Sequence, residues 1–123
     1  MRYLVTGGVG FIGSNLVRVL AEQGHDVRII DDFSSGRATN LNGINADLEV
    51  VEGDISDLAT MVRVTEWVDG VFHQAAIPAV PRSIKDPIRT AEVNITGTLN
   101  LLEACRENKV PRVVLASSSS VYG

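Results

Sequence analysis

Tyr3-Leu4-Val5-Thr6-Gly7-Gly8-Val9-Gly10-Phe11-Ile12-Gly13 opens the chain as a short apolar run that gives way to glycines spaced G-x-x-G-x-x-G. Tyr3-Leu4-Val5 reads as a buried strand by its length and its β-branching. From Phe11 to Gln23 apolar residues recur at helical spacing, at Ile12, Leu16, Val19 and Leu20, and Gly24 suits the left-handed turn that closes a helix. The glycines therefore stand between a strand and a helix, and each has a task there. Gly7 permits the tight turn, Gly10 lets the backbone approach a pyrophosphate, and Gly13 lets helix and sheet pack closely. The unpaired N–H groups and the positive end of the helix dipole then face the phosphates.

Moving outward, the alternation of strand and helix repeats to the last residue. Val27 to Ile30 is a second strand ending at Asp31-Asp32, and the polar stretch Ser34 to Asn45 is a loop with room for one helical turn. Leu48 to Val51 is a third strand, closed by Gly53-Asp54, with Asp54 or Ser56 placed to cap a helix from about Asp57 to Trp67. Val71 to Gln74 makes a fourth strand and leads into a proline-interrupted loop from Ile77 to Asp86. Asp86-Pro87 pairs an N-cap residue with proline at the first helical position, and that helix runs to about Glu107, with Asn108 as its stop. Val113 to Ala116 is the fifth strand, and four serines follow. Such βα units imply a parallel sheet with helices on both faces, and right-handed crossovers favour the doubly wound order 3-2-1-4-5. The expected fold is thus α/β, a single domain or part of one over residues 1–123.

Asp31 follows Gly13 by 18 residues, at the C-terminal end of the second strand. A carboxylate there can accept both hydroxyls of an adenosine ribose and would repel a 2′-phosphate. Strand, glycine turn, helix and acid together point to a dinucleotide site that prefers NAD to NADP. Composition agrees with a globular protein, at 45% hydrophobic and 21% charged residues. A net charge of -4 gives no reason to expect nucleic acid, and no apolar run is long enough to span a membrane. Cys105, the one cysteine, lies among Leu101, Leu102 and Ala104 and reads as a buried thiol. No signal peptide precedes Tyr3, so the expected location is the cytoplasm. His25 reads as a surface residue and Trp67, at a helix end, as core. Arg82 and Lys85 are equally readable as phosphate contacts or as solvated loop residues.

The glycine spacing, with Gly10-Phe11-Ile12-Gly13 inside it, resembles the extended short-chain dehydrogenase/reductase family, which includes the nucleotide-sugar epimerases and dehydratases. The resemblance covers the whole chain. Asp31-Asp32-Phe33-Ser34-Ser35-Gly36 resembles the family's adenosine-binding acid and loop, and Gly53-Asp54-Ile55 the segment whose Asp and following apolar residue hold the adenine. His73-Gln74-Ala75-Ala76 is similar to the strand-four motif that lies along the cofactor, Asn94 to the long-helix Asn beside that strand, and Ser117 to Gly123 to the strand-five ending. The stretch from His73 through Pro78 to Ser83 is most similar to the UDP-glucose and UDP-N-acetylglucosamine 4-epimerases, slightly closer to the acetamido-sugar enzymes.

The resemblance implies transient oxidation at C4 of a UDP-sugar by bound NAD, with hydride returned to the opposite face. It implies cofactor contacts at Gly7, Gly10, Phe11, Ile12, Gly13, Asp31 to Gly36, Asp54, Ile55, Gln74, Ala75, Ala76, Asn94 and Ser117. It also implies sugar contacts at Pro78, Ser83 and Ser118, with Ser118 holding the reacting hydroxyl. No metal site is expected. The family's Tyr-x-x-x-Lys base pair belongs on a helix after strand five, and Tyr122 has no lysine four residues on. The expectation is therefore a fragment that binds NAD without epimerising, and that self-associates through an apolar fifth strand left open at the sheet edge. A dinucleotide sensor without catalysis is one alternative. A 4,6-dehydratase or a decarboxylase is another, although Ser119 and Ser120 stand where dehydratases carry Asp and Glu.

Overall fold

Aliphatic side chains follow one another along the inner strands, as at Leu4-Val5 and Ile29-Ile30, because both faces of this sheet are covered. The computed structural model describes residues 1–76 and 85–116. Strands β1 (Arg2–Thr6), β2 (Asp26–Asp31), β3 (Leu48–Glu52), β4 (Gly70–His73) and β5 (Val113–Leu115) form one parallel sheet in the order β3-β2-β1-β4-β5. This is the doubly wound, Rossmann-type arrangement expected from the alternation. Chain direction across the sheet reverses at β1, which pairs Thr6 with Ile30 of β2 on one side and with His73 of β4 on the other. A crevice opens beyond the C-terminal ends of the strands at such a switch point.

Two cores lie on opposite faces. Leu4, Ile30 and Val71 pack with Met61 and Val64 of α2 (Leu58–Val64) and with Leu101, Ala104 and Cys105 of the helix Gly97–Glu107. Val5, Val27 and Ile29 pack with Val17 and Leu20 of α1 (Phe11–Glu22). Each Val, Leu, Ile or Met among them contributes about 1.5–3 kcal/mol when fully buried. The β5 residues Val114 and Leu115 are exposed at the sheet edge. Among the described residues no helix is long and apolar enough to cross a membrane.

The long helix after β4 starts as its sequence predicts. Asp86 accepts a hydrogen bond from Arg89 N at 3.1 Å, and Pro87 occupies the first turn. It is not uniform, however. A short α3 (Pro87–Ala91) passes into a π-turn (Glu92–Thr96) and then into α4 (Gly97–Glu107) without a break in helical backbone angles. The π-turn carries Asn94.

Helix α2 ends earlier than its pattern suggests, and Trp67 is not core. The Thr65 hydroxyl donates back to Met61 O at 2.8 Å, while Asn108 Nδ2 donates to Thr65 Oγ1 and to Val62 O, both at 2.8 Å. These bonds close the helix before Trp67, which adopts a left-handed φ of 63° and is 84% exposed. Val68 takes the buried position instead.

Candidate functional site

The glycine turn joins β1 to α1 with no room for side chains at its inner corner. Gly7 adopts φ +70° and donates from its N–H to Ile30 O at 2.8 Å. A Cβ on Gly13 would lie 2.1 Å from Gly7 O, so only glycine fits there. Gly10 differs: a Cβ on it would meet nothing within 4 Å but Gly7 O, at 3.3 Å. It is the N-cap of α1, no side chain caps that helix, and no acid stands in its first turn. An open approach at the positive end of a helix dipole fits a phosphate. The side chains of Phe11 and Ile12 are 81% and 66% exposed and do not line the cleft, which leaves their backbone as the part available to a ligand.

Asp31 closes β2 beside this turn. Its Oδ2 accepts from Val9 N at 3.1 Å and its Oδ1 from Phe33 N at 2.9 Å, so the acid is locked to the glycine turn on one side and to its own loop on the other. Asp32 Oδ1 accepts from Ser34 N at 2.9 Å. Phe33 takes a left-handed φ of 61° and packs against the α1-side core rather than lining the cleft. Asp54, after β3, accepts from Ser56 N at 2.9 Å and from Ser56 Oγ at 2.8 Å. Burial raises the Asp54 carboxyl, but the Ser56 hydrogen bonds and the Arg89 guanidinium outweigh it and hold the group below the ordinary carboxylate range.

The β4 end is organised by His73, which is buried. Its Nδ1 lies 2.7 Å from Thr6 Oγ1 and its Nε2 lies 3.0 Å from Thr98 Oγ1. Thr6 Oγ1 also accepts from Gln74 N at 3.1 Å and Ala75 N at 3.0 Å, and Thr98 Oγ1 donates to Asn94 O at 2.9 Å. One polar chain thus runs from the π-turn through His73 to the backbone of Gln74 and Ala75. Burial lowers the His73 pKa, which keeps the ring neutral.

One cleft collects Gly7, Gly10, Asp31, Asp32, Ser34, Ser35, Asp54, Ile55, Gln74, Ala75 and Ala76, all singled out from the sequence. It adds Ile30, Gly53 and Val93, which sequence reasoning missed. Val93 is brought in by the π-turn, and proximity to Asn94 was the one available signal. Gly36 packs against Val9 outside the lining, where an added Cβ would come within 2.6 Å of Val9 O. Pro78, Ser83, Ser117 and Ser118 lie outside the described residues. Among the described residues no group of three His, Cys, Asp or Glu side chains is placed to hold a metal ion.

Similar proteins include several UDP-glucose 4-epimerases, and beside them a UDP-N-acetyl-alpha-D-glucosaminuronate decarboxylase and a dTDP-glucose 4,6-dehydratase. The UDP-glucose 4-epimerase of Mycolicibacterium smegmatis is 48% identical over 127 residues, covering 100% of this chain and 41% of that protein. The crystal structure of UDP-glucose-4-epimerase from Stenotrophomonas maltophila, with bound NAD and formylated UDP-arabinopyranose, superposes with a TM-score of 0.93 at 35% identity, over 100% of this chain and 38% of that one. The UDP-N-acetylglucosamine 4-epimerase from Methanobrevibacter ruminantium, in complex with UDP-N-acetylmuramic acid, gives a TM-score of 0.91 at 41% identity, over 99% and 39%. The chain therefore spans about two fifths of the length of these relatives and matches their N-terminal part. The sequence pattern of the NAD dependent epimerase/dehydratase family matches residues 3–123, and the chain belongs to that family.

Proposed function

We propose that residues 1–123 form the NAD-binding portion of a UDP-sugar 4-epimerase. The observation that carries this reading is the convergence, in one cleft, of the uncapped α1 N-terminus at Gly10 with the carboxylates of Asp31 and Asp54. A dinucleotide asks for that pairing, because it presents a diphosphate to a helix dipole and hydroxyl and amino donors to acids. Backbone N–H groups from Gly10 to Gly13 would hold the diphosphate. Asp31 would accept the ribose hydroxyls with the lone pairs left over from Val9 N and Phe33 N. Asp54 and Ile55 would take the adenine, and Gln74, Ala75, Ala76, Asn94 and Ser117 would lie along the rest of the cofactor.

When bound, NAD supplies the hydride acceptor for reversible oxidation at the sugar's C4. Pro78 and Ser83 would line the sugar's path, and Ser118 would hold the reacting hydroxyl by a hydrogen bond. Self-association through the β5 edge belongs to the same reading, since Val114 and Leu115 stand exposed beside an unpaired strand edge among the described residues. Calorimetric titration of the purified chain with NAD and with NADP tests the proposal. Saturable NAD binding with much weaker NADP binding supports it, and a folded chain that binds neither rejects it.

A further inference from the structure

We propose that Arg89 is the positioning residue of the adenosine end of this cleft, bridging Asp32 and Asp54 so that two acid-bearing loops keep the spacing and net charge that an anionic dinucleotide needs. The proposal rests on the dinucleotide reading above. Among the described residues, the cleft is lined by three carboxylates, those of Asp31, Asp32 and Asp54, and by no cationic side chain. Left uncompensated, these acids would repel one another and any diphosphate that entered.

Arg89 supplies the missing charge from outside the lining. Its Nη2 donates to Asp54 Oδ2 at 2.9 Å and reaches Asp32 Oδ2 at 3.5 Å, so a single nitrogen ties the loop after β2 to the loop after β3. The guanidinium is itself anchored: Nη1 contacts Glu92 Oε2 at 3.3 Å on the same helix. Its side chain is 33% exposed, which places it between a screened surface pair and a buried one. Besides Arg89, the backbone bond from Gly53 N to Asp31 O, at 3.0 Å, ties the two loops at their base. Through the Asp32 and Asp54 carboxylates, Arg89 joins them to each other and to α3. A lysine would bring a point charge without the planar fork that anchors on Glu92 while reaching two acids.

The test is calorimetric titration of NAD and ADP-ribose into the wild-type chain, R89M, R89K and R89M in a D32N/D54N background, each at low and high salt, with a thermal melt of every variant. R89M is expected to bind both ligands about tenfold more weakly at low salt, with the deficit narrowing at high salt as charge is screened. R89K should recover only part of the loss. In the D32N/D54N background the effect of R89M should shrink to within about twofold, because the acids it acts through are gone. A folded R89M with wild-type affinity overturns the proposal, and so does a deficit that is unchanged by salt and by removal of the two acids. Should R89M fail to fold, wild-type affinity in R89K overturns the bridge and a loss in R89K upholds it. No binding by the wild-type chain would instead overturn the dinucleotide reading itself.

Discussion

Thr6 Oγ1 lies 2.7 Å from Nδ1 of His73, and this contact joins the end of β1 to the end of β4. The surrounding bonds determine which atom carries the proton. Thr98 Oγ1 spends its hydrogen on Asn94 O and so receives one from His73 Nε2. Thr6 Oγ1 already accepts from Gln74 N and Ala75 N, so its own hydrogen goes to Nδ1. His73 is therefore the neutral Nε2–H tautomer, and adding a proton to Nδ1 would place two donors face to face.

That arrangement makes stability depend on pH. Burial holds the His73 pKa below its ordinary value of 6.5, so the unfolded chain takes up the proton first as pH falls. The His73 contribution is full above 6.5 and is lost as pH falls from there towards the lowered native value. Thermal melts between pH 7.5 and 5.5 should show the decline. His73→Asn should flatten it and cost about 1–3 kcal/mol at neutral pH, because Thr6 or Thr98 is left without its partner. An identical pH slope in the variant would contradict the assignment.

Gly10 and Gly13 should separate when each is replaced by alanine. At Gly13 the new methyl would meet Gly7 O at 2.1 Å, so Gly13→Ala should lose about 3 kcal/mol of stability and its ligand binding with it. At Gly10 the methyl would meet only Gly7 O, at a tight 3.3 Å, so Gly10→Ala should cost about 1 kcal/mol, well below Gly13→Ala, yet still weaken NAD binding. Melting temperature and calorimetric affinity, measured on both variants, check the contrast. Equal destabilisation by the two would show that the cleft is not open at Gly10.

Asp31 is fixed by Val9 N and Phe33 N, so its replacement has two consequences. Asp31→Asn should cost about 1–2 kcal/mol, because an amide group turns a donor towards one of those N–H groups. It should also weaken NAD by about tenfold and bring NADP closer to NAD, since the charge that repels a 2′-phosphate is gone. Parallel titrations with both cofactors measure the ratio. A ratio unchanged from wild type would assign cofactor choice to another group.

Much of this was legible in the sequence because the informative residues are tied to backbone geometry. A left-handed Gly7, a Gly13 with no space for a methyl and an acid at the end of β2 are demands of the turn itself, and strand order followed from alternating βα units. What was not legible depends on contacts between distant segments. Trp67 carries the right period for a helix end, yet Asn108, far along the chain, helps to close α2 before it. Val93 enters the cleft because a π-turn shifts the helix, and neither propensity nor period encodes one extra residue in a turn. Arg89 reads as an ordinary helix-surface cation until Asp32 and Asp54 are brought to it by the fold.

Cys105 is expected to be inert. It is buried in the α4-side core, and burial pushes its thiol up to about 11. Since the thiolate is the reactive form, a disulfide reagent at neutral pH should label the native chain slowly and the denatured chain at once. Rapid labelling under native conditions would mean that the helix over this face opens readily.

Trp67 makes the opposite prediction about the far end of the molecule. It precedes β4, whereas the cleft lies beyond the C-terminal ends of the parallel strands, so indole and ligand site are at opposite ends of the sheet. At 84% exposure it contributes little burial, and Trp67→Ser should alter stability by no more than about 0.5 kcal/mol. Its native fluorescence should already resemble that of indole in water, be quenched freely by acrylamide, and stay unchanged in position when NAD is added. A blue-shifted, protected emission would show that the side chain is covered in solution. Because Trp67 sits beside the turn from α4 to β5 around Asn108 and Lys109, the cover would have to lie on that end of the fold, away from the cofactor cleft.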